Sequence, residues 1–233
     1  MTERCDVLLV ASYAAELAGF RNLIGDGPVG EVAGLKVIAK PVGIGLVSAS
    51  TGSTARIEAV EPRAVVLVGT CGAYPGAPFS PNDVVVVRVV SLVDPLVEEG
   101  RAAFPDPMSE RIDAHAAMRA ALAASGSPLA DVATTLAITT DDALAEQLGQ
   151  ATGADVEQLE TYGVASACAS LNVPFACVLG VTNVVGSGGR SQWRDTHVTA
   201  AEAACRCVAH WLHAGAAGVP HRERLHASPR AGK

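Results

Sequence analysis

Short apolar runs and longer stretches with helical spacing alternate along most of the 233-residue chain. Short runs rich in valine are typical of buried strands, whereas apolar residues three and four positions apart indicate helices that pack on a sheet. This alternation predicts an α/β fold. The predicted strands are residues 7–11, 36–40, 64–69, 83–90, 132–138 and 175–181, and the predicted helices are residues 14–23, 45–59, 109–124, 142–149, 160–171 and 198–213.

The polar residues that follow these strands are the first candidates for a binding site. In sheets of this kind, ligands bind beyond the carboxyl ends of the strands. We therefore expect the loops after Ala11, Gly69 and Val181 to meet. Function should lie where those loops come together.

Length and apolar content favour one compact domain. An apolar fraction of 49% is ample for a large core. No apolar run reaches the roughly 18 to 20 residues of a membrane helix, because Arg88 interrupts the run VVVVRVVSLV. The amino terminus lacks the layout of a secretory signal, so we expect a cytoplasmic protein without a membrane partner. The stretch from Gly218 mixes proline, glycine and basic residues, which predicts a domain over residues 1–217 and a flexible tail over residues 218–233.

Charge and cysteine content narrow the class of partner. The net charge is −7 and aromatic residues make up only 4%, which disfavours a nucleic-acid surface. The six cysteines form no CxxC pair, which favours reduced, buried thiols and predicts no metal site. A small molecule is the expected partner.

Three segments carry a family resemblance. They are VGIGLVSAS at residues 42–50, VGTCGAYPG at residues 68–76 and VEQLETYGVASACASLNVPFACVLGVTN at residues 156–183. In this order they resemble the motifs of the nucleoside phosphorylase and nucleosidase superfamily. The resemblance implies a single three-layer α/β/α domain with a central mixed sheet, a purine nucleoside as the ligand and no cofactor. It also implies a homodimer or a larger homo-oligomer, since pockets in the family borrow residues from a neighbour.

The resemblance assigns three catalytic roles. Glu160 matches the glutamate that binds the ribose 2′ and 3′ hydroxyls, and Glu16 matches the glutamate that activates water in hydrolytic members. Asn183 stands where adenine-specific members usually place an aspartic acid that protonates N7; an amide can donate there but cannot protonate, which favours a 6-oxopurine without excluding adenine. From position alone, Glu160 could also be a first-turn helix carboxylate, Glu16 a solvated charge and Asn183 a strand-end cap.

Further residues are expected to contact the substrate. Leu144 matches a position where nucleosidases place an aromatic ring over the base, and Leu159 replaces the usual methionine beneath the sugar. Arg190 and Trp193 lie in a glycine-rich loop that could close over a ligand, although a surface ion-pair residue and a core-covering aromatic are equally plausible there. The predicted substrate-binding set is Thr70, Cys71, Gly72, Leu144, Gln158, Leu159, Glu160, Arg190 and Trp193.

Missing arginines favour hydrolysis over phosphorolysis. Related phosphorylases hold phosphate with arginines at two places. At the first place this chain has ASYAAELAGF, which contains no arginine, and at the second it has Leu67. Arg88 or Arg190 could supply positive charge from elsewhere. GIGLVS from Gly43 has Ser48 in place of a third glycine, so it does not predict a dinucleotide site. Within the family, the run from Asn183 to Trp193 is similar to futalosine hydrolases, which release hypoxanthine. A nucleoside phosphorylase and a non-catalytic nucleoside-binding protein remain alternatives.

Overall fold

Nine strands of one mixed sheet form the centre of the molecule. The computed structural model describes residues 4–21 and 29–221, and the nine strands lie within these ranges. The predicted α/β class is therefore confirmed. The strands are β1 (Val7–Ala11), β2 (Val29–Val32), β3 (Leu35–Pro41), β4 (Ala64–Ala73), β5 (Val84–Leu92), β6 (Arg111–Asp113), β7 (Leu129–Thr134), β8 (Val156–Glu157) and β9 (Phe175–Val184).

The sheet closes partly on itself around β4. Its main path runs β2-β3-β1-β4-β8-β7-β5-β6, and β9 pairs with both β4 and β5. β1, β3, β4 and β9 are parallel neighbours, whereas β8 runs antiparallel to β4 and β9 runs antiparallel to β5. Strands β4, β9, β5, β7 and β8 thus form a closed ring, which brings the carboxyl ends of β4 and β9 beside the short strand β8.

Helices cover both faces of the sheet. On one face, Ile57 and Val164 join the core with Leu8 and Val10 of β1. On the other face, Phe20 and Leu212 pack with the alternate residues of β1. The three-layer arrangement predicted from the resemblance is confirmed. The helices are a 3-10 helix (Ala14–Phe20) and the α-helices α1 (Leu46–Val60), α2 (Pro95–Glu98), α3 (Ala116–Ala123), α4 (Asp142–Thr152), α5 (Thr161–Ser170) and α6 (Gly189–His213).

Several predicted bounds were wrong. The helix predicted for residues 109–124 is strand β6 followed by α3, and the strand predicted for residues 132–138 is β7, which ends at Thr134. The last helix begins at Gly189 and not at residue 198, because its first turns are largely polar and exposed and so show no apolar period. The helix predicted for residues 14–23 is a 3-10 helix over Ala14–Phe20, and residues 22 and 23 lie outside the described residues.

The start of the predicted tail packs against the domain. Val219 is buried in the core, and the Arg63 side chain donates a hydrogen bond of 2.8 Å to the carbonyl of Pro220. Residues 222–233, the greater part of the predicted tail, lie outside the described residues. In the described part of the chain, no helix is both long enough and apolar enough to cross a membrane.

Candidate functional site

A cavity of about 520 Å³ opens at the carboxyl ends of β1, β4 and β9. The turn between β8 and α5 and the loop after β7 complete its wall. This is the place where the sequence predicted that polar loops meet. However, β4 and β9 extend further than predicted, so Gly72 and Asn183 lie within strands and not in loops.

Glu16 lies at the inner wall of the cavity. Its side chain is only 3% exposed, so it is not the solvated charge that remained an alternative. One carboxylate oxygen accepts hydrogen bonds from the amide (3.2 Å) and hydroxyl (3.1 Å) of Thr70, and the other accepts from the amide of Ser12 at 3.2 Å. The hydroxyl of Thr70 is therefore directed at Glu16.

The environment of Glu16 suits proton transfer. Burial raises the pKa of the Glu16 carboxyl from 4.5 to about 7, and the nearby charge of Glu160 acts in the same direction. The hydrogen bonds from Thr70 and Ser12 oppose this shift. A group whose pKa is near neutral can both take up and release a proton at physiological pH.

Glu160 is a second buried carboxylate on the cavity wall. It is 4% exposed and occupies the position before the first residue of α5, but its side chain does not cap that helix. Instead Oε1 accepts a hydrogen bond of 2.7 Å from the amide of Gly45, at the start of α1. Gly45 has a φ of 83°, which a residue with a side chain rarely adopts. Glu160 therefore accepts a hydrogen bond from the start of α1 and makes no capping hydrogen bond to its own helix.

Gln158 orients Glu160. Its Oε1 accepts three hydrogen bonds, from the amide of Glu160 (2.8 Å) and from the amide (2.7 Å) and hydroxyl (2.5 Å) of Thr161. Its amide nitrogen donates to Oε2 of Glu160. Burial raises the pKa of Glu160, whereas hydrogen bonds from Gly45 and Gln158 lower it. The side chain therefore has a fixed position beside the cavity.

Asn183 lies on the cavity wall between two glycines. A Cβ atom at Gly72 would lie 2.8 Å from its amide nitrogen, and one at Gly189 would lie 2.9 Å away. The Asn183 oxygen accepts from the Thr182 hydroxyl at 2.6 Å, and the nitrogen donates to the carbonyl of Val184 at 2.9 Å. These local hydrogen bonds agree in part with the alternative that Asn183 only caps the end of a strand. However, an amide nitrogen carries two hydrogens, so one of them is left for another acceptor.

Cys71 and Leu159 also line the cavity. Burial raises the pKa of the Cys71 thiol well above its ordinary range, so this group stays protonated. The carbonyl of Cys71 lies 3.0 Å from the hydroxyl of Thr182. Leu159 supplies an apolar surface between Gln158 and Glu160.

The first turn of α6 forms one side of the cavity entrance. Arg190 is exposed there, and Trp193 stacks on His197 with ring centroids 4.2 Å apart. Within the described ranges, Arg190 makes no ion pair. Arg88, the other candidate source of positive charge, pairs with Asp131 at 2.7 Å and does not line the cavity.

Leu144 does not line the cavity, unlike the other predicted site residues. It packs instead against the small apolar cluster that contains Tyr74 and Leu148. The Asp141 side chain accepts a hydrogen bond of 2.8 Å from the amide of Leu144 at the start of α4, and the packing of α4 places the Leu144 side chain in this cluster. The predicted contact between Leu144 and a base therefore does not fit this geometry.

Several wall residues were not predicted. Ser12 and Tyr13 follow β1, Thr139 lies in the loop after β7, and Glu157 ends β8. Glu157 precedes Gln158 directly, but a two-residue strand is too short to show a period. The signal in the sequence that could have identified Glu157 was an acidic residue directly after the apolar Val156 and close to Glu160.

Of the residues that the structure describes, three acidic side chains line the cavity, Glu16, Glu157 and Glu160, together with one basic side chain, Arg190. Among residues 4–21 and 29–221, no group of three or more histidine, cysteine or acidic side chains could hold a metal ion. The site is therefore acidic on its inner side and positively charged only at its entrance.

The fold is shared with solved nucleosidase structures. A methylthioadenosine/S-adenosylhomocysteine nucleosidase from Colwellia psychrerythraea, in complex with adenine, matches with a TM-score of 0.82 at 18% identity over 95% of this chain and 99% of that one. The corresponding enzyme from Neisseria meningitidis, in complex with methylthio-immucillin-A, matches with a TM-score of 0.80 at 16% identity, covering 90% and 99% of the two chains. Futalosine hydrolase of Helicobacter pylori matches with a TM-score of 0.77 at 16% identity, covering 89% and 96%.

Sequence comparison gives a family but no individual relative. No curated protein matches the chain. The family model described as the phosphorylase superfamily matches residues 7–213, which include every strand and helix of the sheet layers. The chain belongs to the phosphorylase superfamily.

Proposed function

We propose that this protein is a nucleosidase that hydrolyses the bond between ribose and a purine base. The observation that carries the proposal is the pair of buried carboxylates, Glu16 and Glu160, in one cavity of suitable size. Cleavage of an N-ribosyl bond passes through a sugar with cationic character, which nearby negative charge stabilises. The structural likeness to nucleosidases supports the same function.

In the proposed mechanism, each polar side chain has one role. Glu160 accepts hydrogen bonds from the ribose hydroxyls, and its charge favours the developing cation. The bond from C1′ to the base breaks as the sugar gains cationic character, its electron pair leaves with the purine, and the spare amide hydrogen of Asn183 stabilises the negative charge on the base. Glu16 takes a proton from a water molecule while the water oxygen bonds to the cationic C1′, and it later releases that proton to solvent. The base finally takes up a proton from solvent.

The charges of the cavity favour water over phosphate as the nucleophile. A phosphate dianion needs cationic side chains or several free amides around it. The amide and the hydroxyl of Thr70 donate hydrogen bonds to Glu16, and Arg190, the one basic residue that the structure describes on the wall, is exposed at the entrance. Phosphate near Glu16 and Glu160 would therefore face two acidic side chains with no basic side chain from the described residues beside it.

The finer proposal concerns the base. Asn183 can donate to N7 or O6 but cannot protonate N7, which suits a 6-oxopurine such as hypoxanthine. We therefore propose a nucleoside of the futalosine type as the substrate. The likeness to the futalosine hydrolase of Helicobacter pylori is compatible with this substrate. The likeness to the adenine-bound nucleosidase is compatible with an adenine nucleoside.

The test is chromatography of inosine, methylthioadenosine and futalosine after incubation with the protein, with and without phosphate. Release of hypoxanthine from futalosine without phosphate is the expected result. Release of the base only in the presence of phosphate would show that the protein is a phosphorylase and not a hydrolase. Tight nucleoside binding without release of the base over hours would instead indicate a binding protein. The replacement of the usual methionine by Leu159 and of the usual aspartic acid by Asn183 supports this alternative.

We also propose that the protein forms a homodimer or larger homo-oligomer. Ile44 and Ile138 line the cavity and are 65% and 51% exposed, and Val47 and Leu136 nearby in sequence are exposed as well. Large apolar side chains around a cavity entrance are typical of surfaces that another chain covers. Light scattering coupled to size-exclusion chromatography tests this, and a monomer at micromolar concentration would contradict it.

A further inference from the structure

Glu157 is a buried carboxylate on the cavity wall that the proposed mechanism does not use. It is 6% exposed and lines the cavity. Its hydrogen-bond partners are neutral: Tyr74 donates to Oε2 at 3.0 Å, and Thr139 donates its hydroxyl to Oε2 at 2.6 Å and its amide to Oε1 at 2.9 Å. Within the described ranges no cation pairs with it. Burial of an acidic group without a counter-ion is costly, so its presence needs a reason.

The sheet places Glu157 and Asn183 on either side of Gly72. In the register of the strands, Gly72 of β4 is paired with Glu157 of β8 along one edge and with Asn183 of β9 along the other. Adjacent strands are about 4.8 Å apart, so the two outer Cα atoms are roughly 10 Å apart. Side chains in register across neighbouring strands project to the same face. A Cβ atom at Gly72 would lie 2.8 Å from the Asn183 amide nitrogen and 2.8 Å from Cγ2 of Val185, so the absence of a side chain at Gly72 leaves room for the Asn183 amide on this face.

Glu157 retains capacity for one further hydrogen bond. Each oxygen of a carboxylate can accept two hydrogen bonds. Oε2 accepts two, from Tyr74 and Thr139, whereas Oε1 accepts one. A ligand donor can therefore bind at Oε1 of Glu157, and a ligand acceptor can bind the spare amide hydrogen of Asn183. The wall thus presents an acceptor and a donor on the two sides of Gly72.

This pairing matches one edge of a 6-oxopurine. In hypoxanthine, N1 carries a hydrogen, and O6 and N7 are acceptors; in adenine, N1 is an acceptor and the 6-amino group is a donor. We propose that Glu157 determines base specificity by accepting the N1 hydrogen of a 6-oxopurine, while Asn183 donates to O6 or N7. Adenine would place its N1 lone pair against the carboxylate, acceptor against acceptor. This inference rests on the proposed nucleosidase function and adds the residue that selects the base.

The test compares nucleosides that differ at N1 and C6. Inosine carries the N1 hydrogen and O6, whereas purine riboside has the same ring system with neither. We expect the wild-type protein to prefer inosine in kcat/KM by roughly 10- to 100-fold, the range of one well-formed polar contact to a base. Glu157→Gln should remove most of this preference, because a neutral amide can donate to an unprotonated N1 as well as accept. An equal loss of kcat/KM for both nucleosides would show that Glu157 only supports the fold.

A matched control separates specificity from stability. Tyr74→Phe removes one donor to Glu157 but keeps the carboxylate, so the inosine to purine riboside ratio should stay within about threefold of wild type. Should Glu157→Gln fail to fold, the wild-type ratio still decides: a wild-type protein that turns over both nucleosides equally overturns the inference.

Binding of free bases tells this inference apart from the proposed function. Calorimetry with hypoxanthine and adenine needs no turnover. Preference for hypoxanthine that Glu157→Gln abolishes supports the inference even if no nucleoside is hydrolysed, in which case only the hydrolase proposal fails. Hydrolysis of nucleosides with equal binding of the two bases would leave the hydrolase proposal intact and overturn the role of Glu157.

Discussion

Replacing Glu16 by glutamine should change how the stability of the protein depends on pH. The folded protein raises the pKa of this carboxyl from 4.5 to about 7, mainly by burial. Folding therefore favours the protonated form, and the folded state binds more protons than the unfolded state between these two pH values. The contribution of Glu16 to stability is fully present below pH 4.5 and is lost as the pH rises through about 7.

The size of the effect follows from the shift. One pKa unit corresponds to about 1.4 kcal/mol, so the full shift is worth about 3 kcal/mol, most of which falls between pH 5 and pH 8. Glu16 is 3% exposed, so little screening by solvent reduces this figure. Glu16→Gln removes the titrating group. The free energy of unfolding of the wild type should thus fall by roughly 2 to 3 kcal/mol more than that of the variant over this range.

Urea denaturation at pH 5, 6, 7 and 8 measures this difference. The comparison concerns the slope with pH, since the glutamine amide also disturbs the hydrogen bonds from Ser12 and Thr70 and lowers stability at every pH. Glu146→Gln, at an exposed position on α4, is the control for the loss of one negative charge. Parallel stability profiles for the wild type and Glu16→Gln would refute the account of Glu16 as a buried group with a raised pKa.

A second assay of Glu16→Gln and three further changes have defined outcomes. Glu16→Gln should lower kcat by about 100- to 10,000-fold in a base-release assay, the usual contribution of a general base, and normal turnover would exclude that role. Glu160→Ala should reduce turnover by at least about 100-fold while circular dichroism shows a folded chain; unchanged activity would remove Glu160 from the mechanism. Gln158→Ala should cost about 2 to 3 kcal/mol in urea unfolding, because buried donors lose their acceptor; a cost below about 0.5 kcal/mol would contradict the network. Gly72→Ala should raise KM, since its Cβ would lie 2.8 Å from the amide nitrogen of Asn183, and a crystal structure with that amide unmoved would contradict this.

The sequence alone determined the class of fold and the place of the cavity that forms the candidate site. The apolar runs at residues 7–11 and 175–181 are buried from end to end, and runs of this kind form strands wherever they pair. The rule that ligands bind at the carboxyl ends of strands then located the cavity, and resemblance selected Glu16, Glu160 and Asn183, all of which line it. The fold class and the place of the cavity depend on the local pattern of apolar residues and on the order of the predicted elements, and both can be read from one sequence.

Other features were decided only by tertiary structure. Strands β6 and β8 are too short to show a period and exist because neighbouring strands supply their hydrogen bonds. Leu144 was predicted at the base but lies in an apolar cluster, since the direction of a side chain follows from how α4 packs. The raised pKa of Glu16 arises from burial and from Glu160, which is 144 positions away in the chain. The alignment of Glu157 with Asn183 requires three strands in register, and distances between segments far apart in sequence are set by packing, not by the residues on either side of them.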